Sequence, residues 1–229
     1  MVEMALAFPI LLLILAGTVE VGKYFNDYLT LLDATREGAR YAADGDVAQA
    51  IQPEDTPSNP GCNDDVNWQA ACLVMQNMQG IKFNPSTDDI VVSELSVGTT
   101  GQVLYRYPLA CTDPAPPPGM YQRCNSNVTS SEHGWSYCRN VVQRGWAGSE
   151  VDYYTGPCEE TASRISNAQI QAAMGTSMPD SGMVIVEIYY THHQFLGLIP
   201  PGLAFLPDQV RMYAYTVMPM PSASPLVNP

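Results

Sequence analysis

Residues 2–43 read VEMALAFPILLLILAGTVEVGKYFNDYLTLLDATREGARYAA, and this stretch decides the fold. No charged residue lies between Met4 and Val19, and the run 8–15 is apolar on every side of a helix. A helix without a polar face lies either in lipid or among other helices. At a rise of 1.5 Å per residue, 16 residues span about 24 Å, somewhat less than a hydrocarbon core of about 30 Å.

The second half of this stretch has a helical period. Apolar and small residues recur at spacings of three and four and form one face: Tyr24, Tyr28, Leu31, Thr35, Ala39 and Ala42. The charged residues fall on other sides of the same helix: Lys23, Asp27, Arg36, Glu37 and Arg40. A continuous helix of about 40 residues would be about 60 Å long, far longer than one small core requires. We therefore predict a single rod that is apolar at its start, amphipathic at its end and packed among copies of itself.

Charge and composition limit the function classes. The net charge is −13 with only ten Lys and Arg, which argues against nucleic-acid binding because phosphates require clustered cations. No Walker loop, G-x-S-x-G or H-E-x-x-H motif is present, and no Ser/His/Asp set stands out. We predict that the chain is not an enzyme and needs no cofactor.

The cysteines indicate an oxidising compartment. None of the six forms a C-x-x-C pair, and no histidine lies at zinc-ligand spacing from them. An even number in loop-like sequence favours disulfides, and 15 pairings are open. His192 and His193 are adjacent on a predicted strand and point to opposite faces, so no metal site is predicted. The predicted disulfide residues are Cys62, Cys72, Cys111, Cys124, Cys138 and Cys158.

The first residues differ from a secretory signal. Such a signal has a basic region before its apolar stretch, whereas here Glu3 precedes the apolar run and no Lys or Arg does. We interpret this as a basic leader removed upstream, with the apolar helix retained.

The remaining sequence predicts an α+β domain with an antiparallel sheet of about four strands, covered on one face by the amphipathic half of the first helix. Residues 1–43 form the N-terminal helix and residues 44–229 the globular domain. A linker at 44–61 is followed by a predicted helix at 63–80 and a hairpin at 89–110 with strands 91–97 and 103–107. A disulfide-rich loop insertion at 111–158 comes next. The chain then continues as a predicted helix at 159–174, strands at 183–196 and 209–220, and a polar tail at 221–229.

The N-terminal residues resemble TadE-like proteins, the pilin-like proteins of tight-adherence systems. The family pattern is matched by Glu3, Pro9, Glu20, Gly22 and the block REGARYA at 36–42. The C-terminal hairpin is similar to the family's less specific ending. The resemblance implies a pilin-like fold and a precursor cut before the apolar helix. It also implies insertion in the inner membrane and extraction, by pilus assembly and secretion machinery, into a filament or its base.

Several residues are candidates for assembly. The resemblance implies that Glu3 pairs with the terminal amine of a neighbouring copy; the alternative is a charge at the membrane interface. Glu20 pairs either with Lys23 or with a neighbour. Pro9 lacks a backbone donor and is expected to kink or loosen the helix unless it lies in the first turns. A row of small residues lies either against another copy or against the sheet of its own chain. The full candidate set is Glu3, Pro9, Glu20, Gly22, Ala34, Arg36, Gly38, Arg40 and Ala42.

Three functions remain open at this point. The first is a structural subunit of an extracellular filament, formed as a homopolymer through the N-terminal helix. The second is a minor assembly or tip component. The third is a membrane-anchored adhesin, for which Trp135, Trp146 and the pair Tyr153-Tyr154 of the insertion form either a binding surface or the small core of the insertion. Separately, Asn127 begins a glycosylation sequon.

Overall fold

The structure is a computed structural model that describes residues 2–44, 66–98, 100–107, 134–138, 161–174, 181–194 and 209–220, without the side chains of residues 2–6 and 181. Its helices are α1 (Val2–Asp44), α2 (Val66–Asn77) and α3 (Asn167–Met174). Its strands are β1 (Asp89–Val97), β2 (Val103–Tyr107), β3 (Trp135–Ser136), β4 (Ser181–His193) and β5 (Gln209–Met220).

The predicted α+β class is confirmed. The strands form one antiparallel sheet in the order β2-β1-β4-β5. β1 and β4 pair along their whole common length, from Asp89 opposite Tyr189 to Val97 opposite Ser181. The two predicted hairpins are therefore joined side by side through their first strands. β3, which lies within the predicted insertion, adds a short pairing to β1 next to β2. Two residues carry no period, so this strand was not predicted.

Both faces of the sheet are covered within the described residues. Even-numbered residues of β4 face α1 and α2, whereas odd-numbered residues near its start face α3. β1 is buried along its whole length, and the described side chains of β4 are buried except at His193, because both central strands are covered on two faces. The core against α1 and α2 includes Leu31, Val74, Val92, Val186 and Ile188; the smaller core under α3 comprises Leu95, Val97, Ile170, Met183 and Ile185.

Helix α1 runs without a break through Pro9 and is antiparallel to β4. Its residue Asp27 contacts His192 at the end of β4, and Thr35 hydrogen-bonds to Thr216 further along β5. The helix therefore leaves the domain at the end of the sheet where β4 ends and β5 begins. We call residues 7–19 the free half of α1 and residues 20–44 the docked half.

The prediction of a helix over 159–174 is wrong for residues 161–166, which are not helical. Polar side chains of the sheet bind the backbone of this segment instead. Thr161 N donates to Asp89 and Arg164 N donates to Glu187, at 2.9 and 3.0 Å. Helix α3 begins only after Ser166, whose hydroxyl accepts from Gln169 N while its own N–H donates to the Gln169 side chain. This reciprocal pair is a capping box, which fixes the start of the helix.

Other boundaries are close to their predictions. The described part of the second helix begins at Val66 and ends at Asn77, three residues before the predicted stop at Gly80, which has a φ of 78°. β4 begins two residues earlier than predicted and ends at His193, and residues 195–196 lie outside the described residues. β5 has the predicted bounds, 209–220.

Candidate membrane and assembly surface

The free half of α1 is an exposed apolar cylinder. Each of its seven large apolar side chains from Phe8 to Leu15 is between 47% and 67% exposed. The residues lie on every side of the helix, so rotation of the helix cannot bury them against its own domain. The helix is long and apolar enough to cross a membrane. An exposed apolar surface of this extent marks a site of contact with a membrane or another protein.

The docked half packs closely against its own chain. Leu31, Ala34 and Ala42 have no exposed surface. A Cβ atom placed on Gly38 would overlap Val74 Cγ2 and lie 3.1 Å from the Ala70 carbonyl oxygen of α2. The absence of a side chain at position 38 thus lets α2 cross α1 at close range. Ala34, Gly38 and Ala42 are buried within the chain, and Gly38 packs mainly against α2 rather than against the sheet.

Four polar residues join α1 to the end of β4. We name Glu20, Lys23, Asp27 and His192 the polar clasp. His192 Nδ1 lies 3.0 Å from Asp27 Oδ2, and His192 Nε2 lies 3.7 Å from Glu20 Oε1. Lys23 Nζ donates to Asp27 Oδ1, one helical turn away. The ring of Tyr24 meets the imidazole edge to face at a centroid distance of 5.5 Å.

The clasp was not predicted from the sequence. The helical period placed Asp27 away from the apolar face of α1 and gave no sign that it would be buried, whereas Asp27 is only 2% exposed. A buried carboxylate is stable when it is paired, and here a lysine and a histidine both contact it. Lys23 at a spacing of four was a visible signal for one contact. The contact with His192 joins residues 165 positions apart, which a single sequence does not reveal.

The outward side of the docked half is divided into two zones. Near the free half it is apolar, with Val21, Phe25 and Leu29 each between 55% and 59% exposed. Beyond Leu29 it is charged: Asp33 and Arg36 form an exposed ion pair at 3.0 Å, followed by exposed Glu37 and Arg40. The apolar surface of the free half therefore continues past the clasp and ends between Leu29 and Asp33.

On the opposite face of the sheet, Glu187 holds a buried hydrogen-bond network. Its Oε1 accepts from the hydroxyls of Tyr213 and Tyr189, at 2.7 and 3.1 Å, and from Arg164 N. The Arg164 guanidinium lies 5.0 Å from the Tyr213 ring centroid and 5.5 Å from that of Tyr189. Burial, followed by the nearby Glu187 carboxylate, raises the pKa of both tyrosines. Both hydroxyls therefore remain protonated donors and fix the segment around Arg164 on the sheet.

Asp89 anchors two loop segments to β1. Its carboxylate accepts four hydrogen bonds, from Ser136 Oγ at 2.7 Å and from the N–H groups of Ile90, Cys138 and Thr161 at 2.9–3.0 Å. Burial raises the pKa of Asp89 to about 6, and the hydrogen bonds partly oppose this shift. The residue joins the described part of the insertion to the sheet.

Both cysteines of the described ranges, Cys72 and Cys138, are in disulfides. The other four, together with Asn127, lie outside those ranges, as do the side chain of Glu3 and the insertion except for 134–138. Of the two adjacent histidines, His192 is 4% exposed and His193 is exposed, as expected for neighbours on a strand. Within the parts of the chain that the structure describes, no three His, Cys, Asp or Glu side chains converge as a metal site.

Comparison with known proteins agrees with this geometry. The family model described as TadE-like protein matches residues 1–40, which confirms the resemblance over the free half and most of the docked half of α1. The chain has no match among curated proteins or among solved structures. The family match indicates a pilus- or tight-adherence-related protein with a membrane-anchoring N-terminal helix. The sheet and the insertion lie outside the matched segment.

Proposed function

We propose that this chain is a structural subunit of an extracellular pilus-like filament, a homopolymer assembled through α1. The observation that supports the proposal is the free half of α1, which is apolar and exposed on all sides and continues directly into a helix fixed on the domain. Helices α1 and α2 cover one face of the sheet and α3 covers the other, so the domain folds without needing the free half. A rigid apolar rod attached to a self-sufficient domain suits a helical core surrounded by globular heads.

In this proposal the free half is surrounded first by lipid and then by other helices. Before assembly the free half lies in the inner membrane, where its side chains contact lipid. In the filament the same side chains contact equivalent helices, and the gain is close packing and dispersion rather than removal from water. No chemistry is required of the subunit, and we propose no enzymatic role. Pilus assembly and secretion machinery would drive the transfer, consistent with the family match.

Glu3 is the residue on which assembly depends in this proposal. No Lys or Arg lies in the first 22 residues, so a carboxylate surrounded by apolar helices needs a cation from elsewhere. The terminal ammonium of a neighbouring copy is chemically suited to this pairing, which would also fix how far one helix slides along the next. Removal of one partner of a buried ion pair costs about 3–5 kcal/mol, and every subunit repeats the contact.

The test compares membrane-bound and shed protein for wild type, Glu3→Ala and Asp44→Ala. Asp44 is an exposed carboxylate on the docked half of the same helix and lies outside the family block at 36–42, so its variant is a matched control for loss of charge. We expect Glu3→Ala to insert in the membrane and to shed no filaments, whereas Asp44→Ala sheds them normally. Normal filaments from Glu3→Ala would contradict the proposed pairing and favour a role for Glu3 at the membrane interface.

Abundance distinguishes a major subunit from a minor assembly or tip component. A major subunit should be the dominant protein in sheared surface material, and a minor component should be a trace in it. A membrane-anchored adhesin should remain with the membrane fraction and form no polymer.

A further inference from the structure

We propose that the lipid-embedded part of α1 extends to Leu29, so that the apolar side of the docked half lies in the bilayer and the end of the sheet next to the polar clasp lies in the headgroup region. The partner of this surface is the hydrocarbon and headgroup region of the lipid bilayer. The inference rests on the membrane stage of the proposed function. The proposed function places only the free half in lipid. This inference extends the embedded segment to Leu29 and holds the domain against the membrane.

The first argument is length. The uncharged run of 16 residues is about 24 Å long, which leaves a hydrocarbon core of about 30 Å incompletely spanned. Among the described side chains, the exposed apolar surface instead runs from Ala7 to Leu29. Those 23 residues are about 35 Å long at 1.5 Å per residue. This length matches the bilayer without thinning it.

The second argument is the direction of the charged side chains. Between Val19 and Leu29 the charged residues of α1 are Glu20, Lys23 and Asp27, and all three belong to the polar clasp. They lie on the side of α1 that faces β4, and Asp27 is nearly fully buried. Lys23 pairs with Asp27, and His192 contacts both Asp27 and Glu20. The side chains of Glu20 and Lys23 are only 23% and 32% exposed, because the domain covers most of each.

The third argument is the opposite, lipid-facing side. Val21, Phe25 and Leu29 follow one another at a spacing of four, so they form one row on the helix surface. All three are more than half exposed although they lie beside a folded domain. The row ends at the exposed Asp33–Arg36 ion pair, which marks the aqueous side of the boundary.

The end of the sheet is consistent with this position. β4 ends at His193 opposite Gln209, the first residue of β5, at the same end of the domain as the clasp.

The test is photo-crosslinking in lipid. The full chain is reconstituted in vesicles of phosphatidylcholine and phosphatidylglycerol, with benzoylphenylalanine at position 13, 25, 29 or 41, one position at a time. Leu13 is the positive control in the free half. Tyr41 is an exposed aromatic residue beyond the charged boundary and is the negative control. Mass spectrometry of the irradiated protein identifies lipid adducts and protein–protein adducts.

We expect lipid adducts at positions 13, 25 and 29 and only background at 41. Two positions in the row are tested because a single replacement could disturb the local packing. The same crosslinking result at 25 and 29 excludes that explanation. Lipid adducts at 13 with none at 25 and 29 would overturn this inference and leave the proposed membrane stage intact. Adducts at 25 and 29 that join two copies instead of lipid would also overturn it, because the row would then be a contact between subunits. An absence of lipid adducts at position 13 would overturn both.

Discussion

At the scale of single residues, Gly38 controls how closely α1 and α2 approach. We predict that Gly38→Ala destabilises the fold by about 1–3 kcal/mol, since the new methyl group would overlap Val74 and press on the Ala70 carbonyl. Gly22→Ala is the matched control: it lies in the same helix with nothing within 4 Å of an added Cβ. Replacement of a helical glycine in open space by alanine is stabilising by about 0.5–1 kcal/mol.

Thermal unfolding of both variants in detergent measures the difference. The predicted result is a lower melting temperature for Gly38→Ala and an unchanged or higher one for Gly22→Ala. Equal stability of Gly38→Ala and wild type would show that α2 does not cross α1 at this glycine.

Asp89 should make stability depend on pH. Its folded-state pKa of about 6 lies above the ordinary value of 3.8, so folding favours the protonated acid. The contribution of Asp89 is then complete below pH 4 and is lost as the pH rises through 6. The shift of about two pKa units corresponds to about 3 kcal/mol. The stability advantage of wild type over Asp89→Asn should therefore decrease between pH 4 and pH 7.

Urea unfolding at several pH values gives this difference directly. The control is Asp33→Asn, which removes a carboxylate whose side chain is 74% exposed and should follow the wild-type pH profile. If Asp89→Asn and wild type lose stability in parallel over this range, the buried carboxylate is not the titrating group.

Sequence reasoning at this scale succeeded where the signal was local and failed where it was distant. The N-terminal motif residues are contiguous or regularly spaced, so the pattern and the family resemblance identified them together. The burial of Asp27 was not predicted, because its partner His192 follows it by 165 residues. The anchoring role of Asp89 was missed for the same reason, since Ser136, Cys138 and Thr161 are distant in sequence.

At the scale of elements, hydrophobic period located the sheet strands and the long helix because each repeats one pattern over many residues. The failure at 161–166 has a specific cause. This segment has helix-compatible residues, yet Asp89 and Glu187 bind its N–H groups while the Arg106 guanidinium donates to the Ile165 carbonyl at 2.6 Å. Tertiary hydrogen bonds to the backbone thus replace the helical ones, and such competition is invisible to local propensity.

Helix α1 allows a prediction about its two halves. We predict that removal of residues 1–21 leaves a soluble, folded monomer. The described side chains of the free half are largely exposed, so their loss removes little from the core, whereas the buried contacts from Asp27 onward remain. Size-exclusion chromatography and circular dichroism of the truncated chain measure this. Aggregation with loss of the β-sheet signal would mean that the free half belongs to the domain core.

At the scale of the whole molecule, the cysteines should all be oxidised. Cys72 and Cys138 are in disulfides, and an even number in an exported chain predicts the same for the other four. We expect no reactive thiol when the denatured, unreduced protein is titrated with a thiol reagent, and six after reduction. Six reactive thiols without reduction would contradict both the disulfides and the assignment to an oxidising compartment.

The overall arrangement was predictable to the level of an antiparallel sheet with a long helix on one face. Two predicted hairpins and one amphipathic helix admit few compact arrangements, because each apolar face must be covered. The strand order β2-β1-β4-β5 was not predictable in the same way, because it depends on which strands of the two hairpins pair with each other. The pairing of β1 with β4 joins residues about 90 positions apart, and alternation along each strand does not choose that neighbour.

Electron microscopy of purified surface material tests the central claim most directly. The account predicts helical filaments with a core of α1 helices, each continuous through its free half, and with the sheet domains on the outside. Residues of the free half should be buried between subunits, and Glu3 should lie next to the first residue of a neighbouring chain. Discrete particles, or filaments in which the domains form the core and the free half remains exposed, would contradict the account.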